Sequence, residues 1–435
     1  MYHLTTLPNG LRVATAEMPH MASVCVGLWA AVGGRHENAR LNGVAHFLEH
    51  LLFKGTKRRS ARRISGEIES LGGYLDAFTA EDHTCYFAKA EAGKLAQVGD
   101  VLSDIYQHSR LPAAEVERER GVIREEILMY QDQPAQVAEE LLAAAVWPRH
   151  PLGRPLAGTL ESVSSLKRAE LLDFWQGAYH ARSTVLAVAG RVTHDEVLAR
   201  VAPALSGMSA GRVPRFTRWQ APQTTRQAKP VAIVDHRDVE QVQLVLGFEA
   251  AGRRDPARFA LRVLNAVLGE KADSRLFQSL RERRGLCYSV QSEVSVLEET
   301  GLMTISLGLE AKNVPAALRL IRKEIDALSA RPVSARAARE AKDYLIGQHR
   351  LGLESTTNQM MWLGESVLGH GRIVPPDQAE AGFAAITPAD IQAAAQRCLR
   401  NAFRAVVAVG PLEVTGDDLL GWFGVNVPAG PERAS

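Results

Sequence analysis

Residues 26–52, VGLWAAVGGRHENARLNGVAHFLEHLL, read as an apolar strand, a glycine turn and an amphipathic helix. Residues 244–268, LVLGFEAAGRRDPARFALRVLNAVL, repeat that order. In the first copy the strand is expected at 22–31, the turn at Gly33 and Gly34, and the helix at 42–53. In the second the strand falls at 242–251, the turn at Gly252, Arg253 and Arg254, and the helix at 256–268. Only the first copy carries His, Glu and His on its helix; the second has Asn, Val and Leu there. One half is therefore built for chemistry and the other for scaffolding and substrate contact.

Working outward from these copies, 435 residues at 46% hydrophobic are enough for two cores. A polar stretch rich in Pro and Arg lacks either periodicity and reads as a linker, giving domains 1–207 and 230–425 with a linker 208–229 and a polar tail 426–435. Within the first half, Ser60 N-caps a helix at 60–71 that Gly72 and Gly73 end. Strands follow at 74–79 and 83–89, then helices at 94–108, 113–130, 135–147 and 160–179, and a strand at 183–189. Strands interrupted by long helices imply an α+β fold, two homologous α/β sandwich domains with helices layered on antiparallel-rich sheets.

Charge is nearly balanced at a formal +2, which speaks against nucleic-acid or membrane partners. The local run Lys54, Lys57, Arg58, Arg59, Arg62 and Arg63 reads as a solvated helix start rather than a site for acidic partners. Cys25, Cys85, Cys287 and Cys398 form no C-x-x-C pair, which fits a reducing compartment. No apolar run reaches the length of a membrane span, and a cytoplasmic location is expected.

In His46-Phe47-Leu48-Glu49-His50 the two histidines lie four apart on one helix face, so both imidazoles can meet one ion. Glu49 lies beside them, one turn from His46, where a carboxylate that does not ligate can take a proton from water. H-x-x-E-H is the inverted form of the commoner zinc-protease helix motif. A catalytic zinc needs a third protein ligand. The helix at 113–130 offers Glu115, Glu117, Glu119, Glu125 and Glu126, and spacing alone leaves that choice open. Glu119 and Glu126 share a face two turns apart, as a ligand and a carboxylate supporting a histidine would.

These residues resemble the pitrilysin/insulinase family of zinc peptidases, in its short two-domain branch with the mitochondrial processing peptidase subunits. The resemblance is carried by HFLEHLLFKGT, LGGYLDAFTAEDHTCYFAKA, ERERGVIREEI, HPLGRPLAGT, SRLFQSLRERRGLCYSV and GLESTTNQMMWLGESVL, in that order from about residue 7 to 409. It implies the LuxS/MPP-like metallohydrolase fold and one Zn2+ per subunit on His46, His50 and Glu126. Glu49 becomes the general base and Glu119 the supporting carboxylate. It further implies that Arg281 and Tyr288 bind the substrate backbone near the scissile bond, with Arg283 and Arg284 as alternatives to Arg281. The edge strand with Asp76, Ala77, Phe78 and Thr79 would accept an extended peptide or unfolded polypeptide as an added strand. Asp76 stands where the family usually has Asn, and residues 269–273, GEKAD, replace a glycine run. Longer relatives close a chamber with four domains on one chain. Two domains here imply a homodimer, Arg281 and Tyr288 of one subunit facing the zinc of the other, with a heterodimer with a paralogue, or a non-catalytic subunit, as alternatives.

Overall fold

The apolar runs of both copies become central strands, each carrying a glycine at the same place. The computed structural model describes residues 1–220 and 229–426, so 221–228 of the expected linker and 427–435 of the expected tail lie outside the described residues. Strands β1 (Tyr2–Thr6), β2 (Arg12–Glu17), β3 (Ser23–Ala30), β4 (Tyr74–Thr79), β5 (Thr84–Glu91) and β6 (Thr184–Gly190) form one sheet in the order β1-β2-β6-β3-β5-β4. Strands β7 (Val231–His236), β8 (Val242–Ala251), β9 (Cys287–Val296), β10 (Thr300–Leu309) and β11 (Phe403–Gly410) form a second, ordered β7-β11-β8-β10-β9. Pairing is antiparallel except for β2 with β6 and β7 with β11. The α+β class and the layering of helices on antiparallel-rich sheets follow.

The two compact units are not the two halves of the sequence. One is built from Met1–Met129, Arg154–Thr217 and Gln348–Ala379; the other from the described parts of Tyr130–Gly153, Arg218–Gly347 and the chain from Glu380 on. A division at 208–229 thus separates the copies but not the units, because each half lends a helix to the other's sheet. Helix Thr356–His370 packs on β3 and β6 through Met360, Leu363 and Val367, and Trp29 donates its indole N–H to Met360 Sδ at 3.2 Å. A Cβ on Gly27 would meet that sulfur at 2.3 Å, and one on Gly364 would lie 2.1 Å from the Trp29 ring. In the other unit the helix Pro134–Val146 packs on β8 and β11, and a Cβ on Gly247 would lie 2.9 Å from Leu142. Gly27 and Gly247 are equivalent residues of the two copies, so both sheets admit their borrowed helix through the same missing side chain.

The elements around the motif are α1 (Val44–Leu52), α2 (Ala61–Glu69), α3 (Leu95–His108) and α4 (Ala113–Gln131). Ser60 caps α2 as expected, accepting from the Arg63 N–H. The single helix expected at 160–179 is two, Leu160–Ser165 and Arg168–Ala178. Ser164 and Ser165 turn their hydroxyls onto the carbonyls of Leu160 and Ser162, Lys167 is extended, and Glu170 restarts the helix by accepting from the Lys167 N–H. The helix expected at 256–268 is α-helical only over Arg258–Asn265 and widens into a π-turn at Ala266–Glu270. The basic run is not a solvated helix start throughout. Arg59, 8% exposed, pairs with Glu67, Asp100 and Asp104, and Arg58 with Asp100 and Asp104, which fastens the loop after α1 to α3.

At its other end α1 is seated on Glu37, itself 3% exposed. One carboxylate oxygen accepts from the Ala45 N–H at 2.9 Å, the other from the Gly43 N–H at 2.8 Å and Asn42 Nδ2 at 3.1 Å. The two backbone N–H groups are donors that the start of a helix leaves without intrahelical partners. Burial outweighs them and lifts the Glu37 carboxyl from 4.5 to about 7. Between those values the folded state holds the proton more tightly than the unfolded chain, so stability falls as pH rises through this window and is level above it.

Two outcomes are expected. In urea titrations the wild type should lose on the order of 3 kcal/mol more than Glu37→Gln between pH about 4.5 and 7; parallel pH profiles would refute this. Gly364→Ala should lower the unfolding free energy by about 2 kcal/mol, because its methyl must displace the fully buried Trp29 ring.

Candidate metal centre

The helical period that put His46 and His50 on one face of α1 leaves both half-buried, with ring centroids 4.8 Å apart. Glu126 comes to them from α4, its Oε2 lying 3.7 Å from His46 Nε2 and 3.6 Å from His50 Nε2. One donor atom from each of the three lies within 4.8 Å of the others. Ligands about 2.0–2.2 Å from a tetrahedral zinc are roughly 3.3–3.6 Å apart, so the donor types suit that ion and the two separations from Glu126 match its spacing. Burial, then the neighbouring His50, holds His46 down at about 4, in the neutral form that binds metal.

Of the glutamates that spacing left open, α4 brings two to the histidines. Glu119, 3% exposed, places Oε2 3.2 Å from His50 Nδ1, which leaves Nε2 of that ring turned toward Glu126. Its other oxygen accepts from Lys54 Nζ at 2.8 Å. Lys54 was legible only as part of a basic run, and its role here follows from the fold. Glu115 and Glu117 are spent on Arg118 and Arg120. Counting Glu49, Glu119, Glu126 and Lys54, the site carries three negative charges and one positive before the histidines, a balance that suits a divalent cation.

Glu49 lies on α1 between the histidines and β4, its carboxyl raised above the usual range chiefly by burial. Thr79 Oγ1 donates to Glu49 Oε2 at 2.6 Å. β4 is the last strand of its sheet, paired with β5 alone. Asp76 is exposed and accepts from the Ala77 N–H at 2.8 Å, whereas Phe78 packs edge-on against Trp29, His83 and Phe87.

In the other unit, Arg281 lies in the π-turn Phe277–Glu282 with its guanidinium 5.2 Å from the Tyr288 ring and 4.7 Å from that of Phe277. Tyr288 is 78% exposed on β9, which is also an edge strand. Arg284 is turned away, donating to the Ser279 carbonyl at 3.0 Å. Among the described residues no helix is long and apolar enough to cross a membrane.

Comparison with known proteins bears on this arrangement. Residues 12–160 match the family described as insulinase (peptidase family M16), and residues 165–345 its companion, the peptidase M16 inactive domain. An uncharacterized zinc protease of Streptomyces coelicolor is 37% identical over 413 residues, 94% of this chain and 89% of that protein. The mitochondrial-processing peptidase subunit beta of Bos taurus is 34% identical over 427 residues, 95% and 85% of the two chains. In fold the chain is similar to a protease from Helicobacter pylori, with a TM-score of 0.89 at 20% identity over 94% of this chain and 99% of the other. On these matches, spanning nearly the whole of both partners, the chain belongs to the insulinase family of peptidases, M16.

Proposed function

We propose that this chain is a zinc-dependent endopeptidase that cleaves extended or unfolded peptides. The observation that carries this reading is the convergence of His46, His50 and Glu126 on one point, with the Glu49 carboxyl beside them. Zinc held by His46, His50 and Glu126, one ion per subunit, would supply Lewis acidity to the attacking water and the scissile carbonyl. Glu49 takes a proton from that water as its oxygen bonds to the carbonyl carbon, and returns it to the leaving amine as the C–N bond breaks. A carboxyl raised by burial suits both halves of that exchange. Glu119 keeps His50 in the orientation that offers Nε2, and Lys54 offsets its charge. The free edge of β4 at Asp76, Ala77, Phe78 and Thr79 receives the peptide as an added strand, so compact folded proteins are spared.

Arg281 and Tyr288, side by side and partly or largely exposed, hydrogen-bond the substrate backbone and the developing oxyanion. One chain carries both these residues and the ligand set, which favours a homodimer in which each subunit completes the other's site. A partner-dependent subunit is the second reading, favoured by likeness to a protein named as a subunit of a processing peptidase.

Hydrolysis of a quenched fluorescent peptide library tests the proposal. Chelation and Glu49→Gln should each lower the rate at least a hundredfold, with zinc retained by Glu49→Gln. A zinc-loaded wild type that cuts nothing favours the second reading. Glu49→Gln chains mixed with Arg281→Ala chains should recover activity; a silent mixture in which heterodimers have formed would refute completion in trans.

A further inference from the structure

We infer that Thr79 is a positioning residue for Glu49, so that β4, the strand offered to the polypeptide, also sets the orientation of the base. The inference rests on the peptidase reading above. A glutamate on a helix has three side-chain torsions, and the helix restricts only the first of them. The Thr79 hydroxyl selects one orientation, through a short O–H···O contact of 2.6 Å to Glu49 Oε2. Oε1 is then the oxygen left to meet water. A hydroxyl has a single proton to donate, so Thr79 spends on Glu49 the hydrogen bond it might otherwise give a peptide.

The strand makes that placement firm. Thr79 is opposite Thr84, which is fully buried and donates to the Val32 carbonyl at 2.9 Å, tying this end of the β4–β5 hairpin to the chain after β3. Side chains alternate along β4. Tyr74 and Phe78 pack against Phe87 on one face, which leaves Leu75, Ala77 and Thr79 on the other, toward α1. The backbone edge lies between these faces. A peptide can therefore pair with β4 while Thr79 keeps its bond to Glu49, and a displacement of β4 on binding is passed to the base through that bond.

Thr79→Val removes the hydroxyl and keeps the shape and strand preference of threonine; Thr79→Ser restores the hydroxyl. In zinc-loaded protein Thr79→Val should lower kcat about tenfold with KM within about twofold of wild type, and Thr79→Ser should stay within about threefold of wild-type kcat. Crystal structures of zinc-loaded wild type and Thr79→Val supply a readout independent of activity. Glu49 should hold one conformer in the wild type and lose it in the variant. An unchanged Glu49 conformer in Thr79→Val, equal kcat values for the Val and Ser variants, or an effect confined to KM would overturn the inference. A wild type that hydrolyses nothing, yet loses the Glu49 conformer in Thr79→Val, upholds the positioning role and counts instead against a chain that is active by itself.

Discussion

Neither half of this sequence can close its own sheet, and the rest of the structure depends on that. β3 and β8 each present a glycine where a side chain would stand, and into each gap comes a helix encoded in the other half. A sheet face left bare there would expose Trp29, Cys25, Val185 and Ala187 in one unit and Val245, Ala405 and Val407 in the other. At about 25 cal/mol per Å2 of apolar surface, such a loss is set against a total stability of only about 5–15 kcal/mol. The exchange fixes what a functional fragment must contain. The helices bearing His46, His50 and Glu126 end at Gln131, yet their sheet needs the helix Thr356–His370, more than 200 residues on.

Behind the His46, His50 and Glu126 cluster the structure is a sequence of compensated charges. Glu119 is buried and would be costly alone; Lys54 and His50 take one oxygen each. Glu37 is buried to the same degree and is answered by the start of α1 itself. Arg59 and Asp104 close the loop at the other end of the same helix. α1 is thus held at both ends by buried ionic groups, and the half-buried groups between, His46, Glu49 and His50, are the ones left to meet solvent and ligand.

What was legible in the sequence was local. The strand and helix of each copy, the cap at Ser60, and the sharing of one face by His46 and His50 all follow from periods of two and 3.6. Spacing along α4 narrowed the third ligand to a set of glutamates, and only the packing of α4 against α1 brings Glu119 and Glu126 to the histidines. The break at Leu166–Lys167 was missed because serine hydroxyls compete for helix carbonyls without disturbing the apolar pattern. The helix exchange left no mark that periodicity can detect. Its trace is the glycine shared by VGLW and LGFE, which acquires meaning once the helix above it is known.

The two copies also differ at one slot in an instructive way. Two residues beyond the shared glycine, on the same sheet face, the first copy has Trp29 and the second Glu249. Trp29 is fully buried, its single N–H given to a methionine sulfur. Glu249 is buried almost as deeply, but its carboxylate takes a two-pronged contact from Arg404 and the indole N–H of Trp219. A buried carboxylate is tolerable only with such partners, and Trp219 comes from the stretch after the first domain of the sequence. The linker end thus serves as a structural part of the second unit, where the equivalent slot of the first is filled by the borrowed helix. Divergence after duplication has kept the glycine that admits a helix and rewritten the chemistry beside it. The same pattern holds on the following helix, where one copy carries His-Glu-His and the other does not.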